Sequence, residues 1–315
     1  MTKAIDVAYV RYQVSDLGKA EKFLNDFGLT TVECTTDELF LRGSGPAPFL
    51  YQAVLGTEPR FLGTEPRFLG AGLRVESADD LVHLSTLDGS GPVEPTGAPG
   101  GGARVRMRMP DGFEIDAVHG GDIRPEWTES PPGFNTATRK ERVDHSVRAA
   151  TAVAPVVRLG HFVLHVTDHD AAVAWLTERF ALLASDHLAG PEGCSIAGSF
   201  LRVDRGETAV DHHCMLVLGT DEPAVHHCSF EVAGLDAVMT GHDYLLAAGY
   251  QLDCGVGRHL LGSQIFDYWR DPFGFRIEHY TDGDLVTAKH RPSVFEGSAE
   301  DTTQWGAKPP KEFFQ

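Results

Sequence analysis

The sequence predicts an α+β protein of two domains. Each domain is a pair of β-α-β-β-β modules whose strands form an open, curled, barrel-like mixed sheet around a central pocket. Three observations support this: a strand-and-helix unit occurs twice, its element order returns twice more, and two modules close on the same short pattern.

The first unit is VAYVRYQVSDLGKAEKFLNDFGL, from Val7, and its counterpart is GHFVLHVTDHDAAVAWLTERFALL, from Gly160. Each is an alternating apolar run, then Ser/Thr-Asp, then a helical pattern. Leu17, Ala20, Leu24 and Phe27 step by three, four and three residues, and Val173, Leu176, Phe180 and Leu183 step identically, as one face of a helix requires. Asp16 and Asp168 stand where an N-cap side chain would accept from a free backbone N–H.

The same order returns at GLRVESADDLVHLSTL, from Gly72, and at HCSFEVAGLDAVMTGHDYLLAAGY, from His227, each followed by short apolar runs with turn residues between them. MPDGFEIDAV, from Met109, then parallels DPFGFRIEHY, from Asp271. The pairing gives domains at 1-120 and 157-283.

Between them, 121-156 is rich in Pro, Gly and polar residues without a sustained period, and it reads as a surface linker with nothing catalytic in it. The tail, 284-315, keeps Phe295, Trp305, Phe313 and Phe314 among prolines and charges; it either packs on the body or a neighbouring subunit, or frays. A perfect tandem, LGTEPRF from Leu55 and again from Leu62, reads as a lengthened loop.

Composition narrows the function. With 315 residues, 42% of them hydrophobic, the chain can bury a large core. A net charge of -18 lacks the basic footprint that nucleic acid or an anionic membrane would need. No apolar leader follows Met1 and no run of about 18 apolar residues occurs, so a cytoplasmic location is expected. The five cysteines, Cys34, Cys194, Cys214, Cys228 and Cys254, are widely spaced and never form C-x-x-C, which points to reduced thiols.

Of the 15 histidines, all but His83, His119 and His145 fall between His161 and His290. Four pieces stand out: GHFVLHV, DHHCML, VHHCSFEV and RIEHY. Period-two geometry puts His161, Val163 and His165 on one face, His227, Ser229 and Glu231 on one face, and Arg276, Glu278 and Tyr280 on one face. Two imidazoles and one carboxylate converging in a half-barrel suit iron(II), with about three open positions opposite them. A divalent ion with one carboxylate carries +1, so a monoanionic catecholate would neutralise it. A strand-interior glutamate with no counter-charge is costly; Arg276 is the competing partner for it, and a hydrogen-bonded core residue is the competing reading of any single histidine.

GHFVLHVTD, HHCMLVLG, HHCSFEV, GRH and FDYWRDPFGFRIE, in this order and spacing, resemble the type I extradiol ring-cleavage dioxygenases of the vicinal oxygen chelate superfamily. The likeness is strong from Gly160 to Asp284 and only architectural before Gly120. It implies metal ligands His161, His227 and Glu278, an acid-base histidine His213, and hydrogen-bond donors His259 and Tyr268, the latter ten residues before Glu278. In each HH pair the second member is chosen because it matches the register of the family motif, leaving His212 and His226 as neighbours of function. The implied cofactor is Fe(II), with Mn(II) as the substitute; the implied partners are a small aromatic diol and O2, in a homo-oligomer whose subunit count no residue fixes.

By the internal alignment Tyr9, Gly70 and Asp116 stand where His161, His227 and Glu278 stand. Tyr9 and Gly70 cannot replace neutral imidazoles, so the first half is expected to serve as scaffold or oligomer surface, with one metal per chain. His165, His187, His242 and His279 match no motif and read as structural or exposed. Asp271-Pro272 followed by Phe273-Gly274 reads as a turn that positions the Glu278 strand. Arg258, Arg270 and Arg276 lie near the motifs, where they either meet a substrate carboxylate or face solvent. The alternatives are a related metal-dependent enzyme acting on an aminophenol or hydroquinone, and a non-catalytic small-molecule-binding or resistance protein.

Overall fold

The computed structural model describes residues 2–56, 65–125, 133–190, 195–310 and 313. Most of the LGTEPRF tandem, linker residues 126–132, Cys194 and Phe314 lie outside the described residues. Four β-α-β-β-β modules follow one another. The first is β1 (Ala4–Val14), α1 (Leu17–Phe27), β2 (Thr30–Cys34), β3 (Glu38–Arg42) and β4 (Tyr51–Leu55); the second is β5 (Arg67–Val75), α2 (Ala78–Leu84), β6 (Ser90–Pro95), β7 (Ala103–Arg108) and β8 (Glu114–His119). The third is β9 (Val156–Val166), α3 (His169–Phe180), β10 (Leu183–Ala189), β11 (Ile196–Arg202), the short β12 (Val210–Asp211) and β13 (Met215–Gly219). The fourth is β14 (Ala224–Val232), α4 (Leu235–Ala247), β15 (Gln251–His259), β16 (Ile265–Arg270) and β17 (Arg276–Thr281). Three short strands follow: β18 (Leu285–Val286), β19 (Ser293–Phe295) and β20 (Thr303–Gly306).

The first two modules make an eight-stranded sheet in the order β2-β3-β4-β1-β5-β8-β7-β6, and the last two make a ten-stranded sheet, β19-β10-β11-β13-β9-β14-β17-β16-β15-β20. Neither sheet is closed, and both are built to one scheme. β1 runs antiparallel to β5 and parallel to β4, and β5 runs parallel to β8. β9 repeats this with β14 and β13, and β14 with β17. Both edges of the larger sheet come from the tail, which covers backbone groups that would otherwise stand unpaired.

The helices start where the sequence places their caps. Asp16 accepts from the Lys19 N–H and Asp168 from the Ala171 N–H, each at 2.9 Å. α1 ends at Gly28, whose φ of 114° favours glycine and whose Cα faces the Ala154 carbonyl at the point a Cβ would need. That close approach lets the Val156 N–H reach the Gly28 carbonyl at 3.0 Å, fixing the entry to β9.

One apolar core runs through both sheets, joining Val10, Tyr12 and Leu73 to Leu159, Phe162 and Ile277. Tyr12 meets Phe275 at 4.8 Å, and the Phe27 ring stacks on His279 at 3.7 Å. Aromatic contacts of this kind add roughly 0.5–1.5 kcal/mol each beyond the area they bury, so the halves are packed together. Cys34, Cys214, Cys228 and Cys254 are free thiols, and among the described residues no helix is long and apolar enough to cross a membrane.

Candidate metal centre and its pocket

The site is assembled by strand register. On β14, Ser229 lies opposite His161 of β9 on one side and Glu278 of β17 on the other. His227 is one pleat repeat away on the same face. Ser229 is fully buried and small, and it leaves room for the two long side chains flanking it to lean towards His227. The DPFGF turn holds β17 in place, with Asp271 Oδ1 accepting from the N–H groups of Phe273 and Phe275 at 2.8 Å each.

The outcome is a near-equilateral triangle of donor atoms. His161 Nε2 and His227 Nε2 are 3.3 Å apart, and Glu278 Oε2 lies 3.3 Å from the first and 3.4 Å from the second. If an ion sits about 2.1 Å from each donor, donors at right angles are about 3.0 Å apart and donors at tetrahedral angles about 3.4 Å apart. The observed edges fall within that bracket, so the three residues fit a divalent cation.

The charge balance agrees. Glu278 is wholly buried, and among the described residues neither of its oxygens, nor His161 Nδ1, makes a hydrogen bond. Burial opposes its ionisation, but the imidazoles of His161, His227 and His259 hold its carboxyl well below the usual range. Burial also pushes His227 down to about 4, and the buried His213 well below its ordinary value, leaving both rings neutral. An anion set among neutral rings in a buried site calls for a cation. Arg276 does not supply it: its Nε is 2.5 Å from Asp253 Oδ2.

A cavity opens over the triangle, and His213, His259 and Tyr268 line it with His161 and His227. The six residues singled out from sequence are therefore brought together. His259 Nε2 lies 2.8 Å from the Tyr268 hydroxyl, and Tyr268 stands directly opposite Glu278 across β16 and β17. Burial and the Glu278 charge hold the Tyr268 phenol well above its ordinary pKa, so it keeps its proton and can donate it in a hydrogen bond. His213 Nδ1 is 3.1 Å from His212 Nδ1, which leaves its Nε2 for the cavity.

Within each HH pair the second member faces the cavity and the first does not. His212 Nε2 pairs with Asp186 Oδ2 at 2.8 Å, and His226 contacts the Phe313 carbonyl. Asp186, His212 and His290 form a second group of possible metal donors, but Ser293 already donates to Asp186 Oδ1 through its N–H and its hydroxyl. The histidines without a motif lie outside the cavity lining: His187 meets the Ser199 hydroxyl at 2.8 Å, His242 meets Asp267 at 2.9 Å, His279 meets the Phe27 carbonyl at 2.6 Å, and His165 is buried. The three arginines near the motifs are engaged elsewhere, Arg258 with Asp282 and both Arg270 and Arg276 with Asp253, and none lines the cavity. Phe200, Leu261, Gln264 and Thr302 do line it, and sequence reasoning missed them.

The first sheet repeats the register with other chemistry. Gly72 of β5 lies opposite Tyr9 on β1 and Asp116 on β8, as Ser229 does with His161 and Glu278. The Tyr9 ring occupies the space over Gly72, and its hydroxyl donates to Asp116 Oδ2 at 2.8 Å. Arg106, opposite Asp116, supplies the positive charge, with Nε 2.8 Å from Oδ1 and Nη2 3.0 Å from Oδ2. Gly70, in the place of His227, has no side chain to offer.

Residues 158–279 match the family model described as Glyoxalase/Bleomycin resistance protein/Dioxygenase superfamily. Metapyrocatechase 2 of Cupriavidus necator is 27% identical over 305 residues, covering 96% of this chain and 88% of that protein. A Mn(II)-bound glyoxalase from Novosphingobium aromaticivorans superposes with a TM-score of 0.79 at 22% identity, covering 100% of this chain and 95% of the other. Homoprotocatechuate 2,3-dioxygenase from Arthrobacter globiformis superposes with a TM-score of 0.78 at 19% identity, covering 99% and 91%. The fold is thus shared with these two proteins.

Proposed function

We propose, from the match of residues 158–279 to the Glyoxalase/Bleomycin resistance protein/Dioxygenase superfamily model, that the protein is an extradiol dioxygenase, opening a substituted catechol beside its diol with both atoms of O2. The near full-length similarity to a metapyrocatechase supports the reaction class. The observation that carries the reading is the triangle of His161, His227 and Glu278, with its unpartnered carboxylate, at the floor of a cavity that also holds His213, His259 and Tyr268.

In this reading His161, His227 and Glu278 are the ligands of one Fe(II), with Mn(II) as the competing ion. When bound, the ion lowers the pKa of the catechol hydroxyls and supplies the redox centre for dioxygen. The remaining steps belong to the chain. One carboxylate leaves the site at +1, so it accepts a singly ionised catechol with no buried charge left over. His213, neutral and with Nε2 free, takes the second hydroxyl proton and later returns it, a role worth about 10²- to 10⁴-fold in rate. His259 and Tyr268 hydrogen-bond the reacting oxygens as charge develops on them. The apolar walls keep bulk water from the opening ring.

The reading also takes 1-120 as a non-catalytic domain, 121-156 as linker, 157-283 as the catalytic domain and 284-315 as tail, in a cytoplasmic homo-oligomer. The test is anaerobic loading with Fe(II) or Mn(II), elemental analysis, and oxygen uptake with a panel of catechols. The expected result is about one ion per chain and a yellow ring-opened product. A loaded protein that consumes no oxygen with any catechol overturns the reading.

A further inference from the structure

Beyond its metal-facing groups, the pocket holds no charge. Its wall is apolar, formed by Val163, Phe200, Leu216 and Leu261 with Leu188 and Leu218 packed behind, and among the described residues no Lys, Arg, Asp or Glu lines it. Two neutral polar residues complete it. The Thr302 hydroxyl is committed to the Ala299 carbonyl at 2.6 Å, and the nearly buried Gln264 makes no side-chain hydrogen bond among the described residues. The arginines that sequence placed nearby are engaged outside the cavity, Arg258 with Asp282, and Arg270 and Arg276 with the Asp253 they share.

We propose, resting on the ring-cleavage reading, that the pocket selects catechols whose ring substituent is neutral and apolar, alkyl or aryl, and rejects those carrying a carboxylate. The reason is charge. Glu278 and the ionised diol use up the cation, so a carboxylate on the ring would enter a buried space with no counter-charge. Phe200 and Leu261 are the specificity-determining contacts, and Gln264 offers one amide, which a neutral substituent tolerates and which cannot balance an anion.

The experiment compares catechol, 3-methylcatechol, 4-methylcatechol and a phenylcatechol with 3,4-dihydroxybenzoate and 3,4-dihydroxyphenylacetate on the metal-loaded protein. Two readouts are taken: kcat/KM by oxygen uptake, and affinity by anaerobic calorimetry. The neutral compounds are expected to lead by about 100-fold or more in both. Equal or better binding of the carboxylated compounds overturns the proposal. Absence of turnover with all six would sink the ring-cleavage reading, while the calorimetric ranking would still decide the pocket's preference. Leu261→Arg, in the turn between β15 and β16, places a cation at the wall; it should raise the affinity for carboxylated catechols at least about 10-fold, with circular dichroism confirming the fold. Because the wild-type ranking stands without the variant, a misfolded variant leaves the test intact.

Discussion

His279 Nε2 lies 2.6 Å from the Phe27 carbonyl, and its ring stacks 3.7 Å from the Phe27 ring, so the residue following Glu278 is bolted to the end of α1. Burial pushes His279 down to about 4, and the neutral ring donates its N–H to a carbonyl that the helix end leaves free. Because the folded pKa is depressed below the ordinary 6.5, this group's contribution is fully present above pH 6.5 and is lost as pH falls towards 4.

His279→Leu should therefore cost about 1–3 kcal/mol at pH 7.5 by denaturant unfolding, since the Phe27 carbonyl stays buried without a donor. The variant should also flatten the loss of stability between pH 6.5 and 4. An unchanged pH profile would separate His279 from that loss.

Glu278→Ala should lose metal and activity together, whereas His213→Phe should keep the metal and lose about 10²- to 10⁴-fold in kcat. Elemental analysis and oxygen uptake on the same samples separate the two. Full metal occupancy in Glu278→Ala would refute the ligand assignment.

Asp186→Leu removes the carboxylate that holds His212, and through it the ring of His213. Loss of that orientation should lower kcat about 10-fold or more with metal content unchanged. Equal kcat in the variant and the parent would show that His213 needs no such support.

Removing the ion by chelation should lower Tm by several degrees, because a ligand at about 100 times its Kd adds about 2.7 kcal/mol. Differential scanning calorimetry with and without added Fe(II) or Mn(II) measures it. The shift should vanish in Glu278→Ala.

Arg106→Leu should cost about 3 kcal/mol, since it strands the wholly buried Asp116 without its bidentate partner. Urea unfolding gives the value. Asp116→Asn in the same background should recover part of the loss.

Much of this arrangement is legible in the sequence. The strands that carry His161, His227 and Glu278 announce themselves because a histidine or glutamate at a period-two apolar position is costly to bury unless a partner or an ion meets it there, and the order of five motifs narrows the choice further. Arg106 was legible too: it precedes Asp116 by ten residues, as Tyr268 precedes Glu278, and extending the internal alignment by one strand would have found it. Phe200, Leu261, Gln264 and Thr302 were not legible, because they are ordinary residues delivered from β11, a turn and the tail by tertiary packing. The tail itself gave no periodic signal, yet β19 and β20 close both edges of the larger sheet and Phe313 packs 5.1 Å from Tyr268.

The Arg106–Asp116 pair has a consequence for biosynthesis. A guanidinium carried on the polypeptide is present as soon as β7 and β8 leave the ribosome, so Asp116 is neutralised with no external component. The trailing sheet, on the proposed reading, must wait for a scarce ion before Glu278 is at rest. Newly made chains starved of that ion would then carry an unbalanced buried carboxylate at Glu278, while Asp116 is already at rest.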